Sequence, residues 1–148
     1  MKRLGKVCVV LAAFSLGAIV YASTAQEKQE KKVLFLDSAK AEFKPAPAPG
    51  AAFAVVWGDM DKGPFGAFVK FDAGAKFESH SHSSDLRLAV IKGAYVYKSA
   101  KGEEHRVGPG CFISTPGGDH HLSGGDEKEG ALFYMESNGK FDLVPDKK

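Results

Sequence analysis

"FESHSHSSDLR", residues 77–87, holds two of the chain's five histidines, one residue apart. Side chains at i and i+2 share a face only where the backbone is extended. His80 and His82 therefore converge on one point if this stretch is a strand. The neighbouring sequence favours a strand. GAFVKFDAG precedes the segment GAKFESHSH that carries the pair, LRLAVIKG follows it, and both flanking stretches are short apolar runs bounded by turn residues.

The same pattern runs outward in both directions. From Ala51, AAFAVVWGD is followed by MDKGPFG; beyond Gly93 come AYVYKSAKGEE, HRVGPG, CFISTPGG, HHLSGGDEKEG, ALFYMES and KFDLVP. This makes about nine strand-like segments at roughly 8–12-residue spacing. No segment of useful length after the N-terminal stretch carries a 3.6-residue apolar period. Asn138-Gly139, between two apolar runs, predicts a hairpin, because both residues tolerate positive φ. The expected fold class is all-β, a sandwich or small barrel in one domain. Phe53, Phe65, Phe68, Phe71, Phe77, Phe112, Phe133 and Phe141 are expected to fill its core, at roughly 1.5–3 kcal/mol for each ring fully buried. Upstream, VLFLD (33–37) reads as one short strand, and KPAPAPG (44–50) as a stiff extended connector.

The first residues have a different character. Lys2, Arg3 and Lys6 precede an apolar run from Val7 to Ala22, and small residues follow. That order predicts a secretory signal peptide over residues 1–25, cleaved after Ala25. The run is roughly 16 residues, shorter than the ~20 that span a bilayer comfortably. The product is expected to be exported, periplasmic or secreted, with no membrane association after cleavage. A charged tether, AQEKQEKK, then leads to the connector, so residues 26–50 form an approach to the domain. Without residues 1–25, Lys+Arg number 17 against 18 Asp+Glu. This balance, without a basic stripe, gives no case for nucleic-acid binding. Cys8 leaves with the signal, so Cys111 stands alone and a disulfide framework is excluded. Cys111 is expected to be a buried small hydrophobe in a strand.

A second constellation stands at GCFISTPGGDHHLSGG (110–125), where Gly110, Pro116, Gly118 and His121 recur at fixed intervals. With Gly74, His80, His82 and Gly93, these residues resemble the two signature motifs of the cupin superfamily. The resemblance covers roughly residues 51–145. PGGDHHLSGG, SSDLRLAVIKG and NGKFDLVP look like a group of single-domain bacterial cupins of uncharacterised function. It implies a jelly-roll β-barrel, a double-stranded β-helix, with histidines lining its interior. It also implies a divalent metal ion (Zn, Fe, Mn, Ni or Cu) held by His80, His82 and His121. The residues read by themselves agree: two imidazoles from one strand and one from a neighbour leave coordination positions open for water or substrate.

The departures from the motifs are specific. The position of the motif glutamate falls on Leu86 or Arg87, and the motif asparagine is replaced by Gly125. Asp85 or Glu78 could stand in for the carboxylate, with Asp85 preferred. Arg87 has two readings: a surface charge paired with Asp85, or a buried cation able to grip a substrate carboxylate in bidentate fashion. Asp85, Glu78 and Arg87 are thus the candidate catalytic residues. The alternative for the histidines is a scaffold that no longer holds a metal. His120 is expected on the outer face and His105 at the surface. Tyr95, Tyr97 and Tyr134 are read first as packing residues and second as cavity walls.

The sequence contains no phosphate-binding loop, Rossmann fingerprint or Gly-x-Ser-x-Gly elbow. Three functions remain open. One is a metal-dependent enzyme of small-molecule metabolism, with the oxidoreductase, dioxygenase-like or isomerase-like chemistry that the resemblance implies. Another is a non-catalytic module that binds a small molecule or metal outside the cytoplasm. The third is a structural β-domain, with a homodimer plausible through strand edges.

Overall fold

The computed structural model describes residues 33–147. The predicted signal peptide and the charged stretch AQEKQEKK lie outside these residues. Eleven strands form in chain order, nine of them four residues or longer. They are β1 (Lys44–Pro45), β2 (Ala51–Gly58), β3 (Phe65–Phe71), β4 (Lys76–Ser81), β5 (Leu86–Gly93), β6 (Tyr95–Ser99), β7 (Glu104–Val107), β8 (Phe112–Thr115), β9 (His121–Gly125), β10 (Ala131–Ser137) and β11 (Val144–Pro145). One sheet has the order β1-β2-β3-β10-β5-β8 and the other β11-β4-β9-β6-β7. All strand pairs are antiparallel. This is a double-stranded β-helix, an all-β single domain, as the resemblance implies.

Period-two alternation builds the larger sheet. Along β10, Ala131, Phe133, Met135 and Ser137 are buried, while the residues between them are half-exposed. In β5, Leu86, Leu88 and Val90 face inward beside them. Phe65, Ala67 and Val69 of β3 complete the floor, and Tyr95 closes it from the opposite sheet. The motif glycines follow from the turns: Gly74, Gly93, Gly110 and Gly118 all have φ between 67° and 82°, where a side chain is strained. Gly93 is doubly constrained, since a Cβ there would lie 2.2 Å from the Gly130 carbonyl oxygen.

Several expectations are corrected. Residues 33–37 are not a strand; Leu34 and Phe35 are 60% and 88% exposed, and the short strand of this region is β1. The connector belongs to the domain, because β1 pairs with β2 and Ala46–Ala48 line the interior cavity. Asn138-Gly139 makes no hairpin. Both edges of β10 are already taken by β3 and β5, so the chain crosses to the other sheet and pairs as β11 with β4.

Phe112 and Cys111 are exposed rather than buried. They lie at the edge strand β8 and just before it. Phe112 ends a row across the outer face of the larger sheet, Ala54–Phe68–Tyr134–Ala89–Phe112. On that face Trp57 crosses Gly66 and donates from Nε1 to the Tyr134 hydroxyl at 2.8 Å. Tyr134 is therefore an outer-face residue and not a cavity wall.

The two phenylalanine environments predict opposite costs. Phe133→Ala should destabilise by about 3–5 kcal/mol in urea unfolding. Phe112→Ser should stay within about 0.5 kcal/mol of the parent.

Candidate metal centre

His80 and His82 come from β4 and its end, and His121 from the start of β9. The register sets His80 directly opposite His121. Between Phe77 and His80 the pairing slips by a bulge, so both residues face inward although they are three apart. The bulge inserts an extra residue and re-aims the side chains after it. All three imidazoles are buried, at 3%, 8% and 1% exposure in chain order. Their ring centroids lie 4.6–5.6 Å apart. One ligand atom from each falls within 4.8 Å of the other two. Among the described residues this histidine cluster is the group able to hold a metal ion.

Each ring is oriented from behind. His80 Nδ1 lies 2.6 Å from the Glu78 carbonyl oxygen, and His121 Nδ1 lies 3.1 Å from that of Asp119. His82 Nδ1 bonds the carbonyl oxygen of Asp142. A carbonyl only accepts, so Nδ1 carries the proton in all three rings. Nε2 is left as the lone-pair nitrogen. Such backing fixes the tautomer and raises the basicity of a ligand nitrogen.

The carboxylate beside the cluster is Asp119, which the sequence reading passed over. Its Oδ2 is 3.3 Å from His121 Nδ1 and accepts from the Tyr97 hydroxyl at 2.9 Å. Tyr97 stacks on His121, with centroids 5.2 Å apart. Burial, and then the bond to Asp119, push its phenol up to about 12. Asp119 lies in the turn before β9, its N–H donating to the Pro116 carbonyl, so strand parity does not place its side chain.

The three catalytic candidates lie elsewhere. Asp85 accepts from the Gly117 backbone N–H at 2.9 Å and ties the β4–β5 turn to the Pro116 turn. Glu78 would share the His80 face on a regular strand, but across the bulge its side chain is exposed. Only its carbonyl reaches the cluster. Arg87 alternates with Leu86 and Leu88, points outward, and donates to Asn138 Oδ1 at 3.0 Å. The outward reading of Arg87 is therefore the correct one.

The departures from the motifs also have physical reasons. Leu86, at the glutamate position, is 4% exposed and gives the cavity an apolar wall there. A Cβ on Gly125 would already lie 2.7 Å from the Asp72 carbonyl oxygen, so no asparagine fits. His120 faces outward and bonds Asp146 at 2.6 Å. His105 is exposed beside Glu103.

His80 and His82 face a cavity of about 800 Å³ between the sheets. Phe53, Phe71, Phe77, Leu86, Leu88, Phe133, Met135 and Phe141 line it, with Tyr95 and Ser123 as its hydroxyls. Its mouth lies between Ala46–Ala48, residues 58–61 and residues 141–143. The last segment, which we term the strap (138–143), is pinned on several sides. Phe141 N–H donates to the Met60 carbonyl at 2.7 Å, and the Asp142 carboxylate accepts from the Ser83 N–H and hydroxyl at 2.8 and 2.6 Å.

Burial disfavours the imidazolium form, holding His80 below its usual range and His82 at about 4. Both shifts favour the neutral form that metal ligation requires. In the unfolded chain the two rings titrate near 6.5. Between about pH 6.5 and 4 the unfolded state binds more protons, so stability rises with pH across that window. The metal-free protein should therefore show a lower urea midpoint at pH 4.5 than at pH 7.5. His82→Asn, whose amide nitrogen can replace Nδ1, should reduce the difference.

A family model described as the ChrR cupin-like domain matches residues 31–141. A comparison with curated proteins found no match. Among solved structures, KdgF from Halomonas sp. is 24% identical with a TM-score of 0.56, over 71% of this chain and 94% of that one. The polyketide cyclase RemF from Streptomyces resistomycificus is 14% identical with a TM-score of 0.66, over 79% and 87%. The DMSP lyase DddQ from Ruegeria pomeroyi is 16% identical with a TM-score of 0.58, over 72% and 61%. At these identities the likeness speaks for the fold alone. The family match is broader in its reach: it spans most of the chain and contains both motifs and all three histidines, and the chain belongs to the ChrR cupin-like family of the cupin superfamily.

Proposed function

We propose that the chain is an exported, divalent-metal-dependent enzyme of small-molecule metabolism. The observation that carries this reading is a convergence of three buried imidazoles beside an apolar cavity, each with Nδ1 tied to a backbone carbonyl. The donor set fits a metal ion, because in each ring Nδ1 is turned to a carbonyl oxygen and Nε2 is left free to ligate. Zinc, iron, nickel and copper suit imidazoles better than manganese, which favours carboxylates. His80, His82 and His121 would hold the ion. When bound, it supplies Lewis acidity, polarising a substrate oxygen or lowering the pKa of water.

The chain's own residues do the positioning. The apolar wall excludes water, which strengthens electrostatic interactions within the cavity. Ser123 and Tyr95 offer hydroxyls to a polar group, and Asp119 steadies His121 from behind. Oxidoreductase and isomerase chemistry both suit such a site. The polyketide cyclase and the DMSP lyase illustrate enzymes built on this fold. The N-terminal sequence supports delivery to the periplasm or the medium.

One observation favours a second reading, a non-catalytic binding module. Leu86 replaces the motif carboxylate, and the acidic residues lining the cavity, Asp59, Asp61 and Asp142, stand at its mouth.

Elemental analysis of the mature protein, purified without an affinity tag or chelator, tests the metal. Near-stoichiometric divalent metal is expected, and its loss in the His80→Ala, His82→Ala double variant. A protein that stays metal-free after incubation with zinc, iron, nickel and copper would overturn the enzyme reading. In a metal-loaded protein, His121→Ala should abolish metal and turnover together for an enzyme, and only ligand affinity for a binding module.

A further inference from the structure

We propose that the cavity takes a planar aromatic molecule bearing a single anionic oxygen, its rings held by the phenylalanine wall and its oxygen directed at the histidines. The oxygen's end rests on the metal reading above. The ring's end rests on the cavity alone.

The wall is aromatic rather than merely apolar. Phe71 meets Phe77 at 4.5 Å and Phe133 at 5.0 Å between centroids, the latter at 82°. Beside Phe71 on the same sheet, Phe53 forms a second edge-to-face pair with Phe141 of the strap at 5.3 Å, and Phe141 lies 5.4 Å from the His82 ring. Phe53, Phe71 and Phe141 line the cavity yet are only partly buried. Their uncovered ring surface is cavity wall awaiting a partner. Aromatic rings gain from offset or edge-to-face contact beyond the area they bury. A volume of about 800 Å³ is in the range that encloses a drug-sized molecule.

The polar end is equally defined. Imidazole ligands bring no negative charge to a bound dication, and Leu86 adds none. An anionic oxygen on the ligand offsets part of that charge. A second anionic group would lie toward Asp61 and Asp142 at the mouth, where repulsion opposes it. The ligand is therefore a monoanion, oriented with its oxygen inward.

Isothermal titration calorimetry with four probes tests this: 2-naphthoate, 2-naphthalenemethanol, decanoate and glucuronate. Zinc-loaded and metal-free protein are compared, with metal content assayed on the same samples. In the loaded protein 2-naphthoate should bind about tenfold more tightly than each of the other three. In the metal-free protein its advantage over the alcohol should vanish, while its advantage over decanoate remains. Phe71→Leu and Phe77→Leu keep the wall apolar and should weaken 2-naphthoate about fivefold, leaving decanoate unchanged. Decanoate binding as tightly as 2-naphthoate would overturn the aromatic assignment, and so would a preference for glucuronate. An alcohol that matches the carboxylate in loaded protein would overturn the anionic end. Failure to load zinc would sink the metal reading instead, and the preference between 2-naphthoate and decanoate would still decide the ring's end.

Discussion

The site depends on one repeated interaction, a backbone carbonyl accepting a proton from Nδ1 of a buried histidine. Three such bonds, to Glu78, Asp119 and Asp142, orient three rings toward one another. Without them each buried imidazole would hold an unpaired donor, costing about 1–3 kcal/mol, and could turn either nitrogen inward. The carbonyls come from three places: the bulge of β4, the turn before β9, and the strap after β10. The cluster is thus defined by backbone geometry at three separated points of the chain.

The jelly roll makes those points meet. β4 and β9 are neighbours in the smaller sheet, which brings His80 opposite His121. The larger sheet provides the apolar floor, and the positive-φ glycines make the turns between strands. Leu86 and Gly125 show the same logic at the departures from the motifs. One places an apolar side chain where a carboxylate would face the cavity, and the other leaves no room for a side chain at all.

Much of this was legible in the sequence. Most strands of four residues or more from Ala51 onward fall where the apolar runs lie, while β4 and β7 are largely polar. The shared face of His80 and His82 follows from spacing, the place of His121 beside them from the resemblance to the cupin motifs, and the outward face of His120 from parity. What could not be read depends on partners distant in sequence. The bulge that sends Glu78 outward is a property of the β4–β9 register. Asn138-Gly139 is a good hairpin signal in isolation, but β10 has no free edge to accept the returning strand. Phe112 and Cys111 look like core residues until β8 is known to be an edge strand. VLFLD has strand composition but pairs with no strand. Asp119 stands in the turn before β9, where strand parity does not set the side chain's direction.

The strap is both the cavity's rim and His82's anchor. Phe141 and Leu143 border the opening, while the Asp142 carbonyl between them sets the His82 ring. The rim of the cavity and the aim of the imidazole are consequently held by one segment, and any shift of residues 141–143 would move both together.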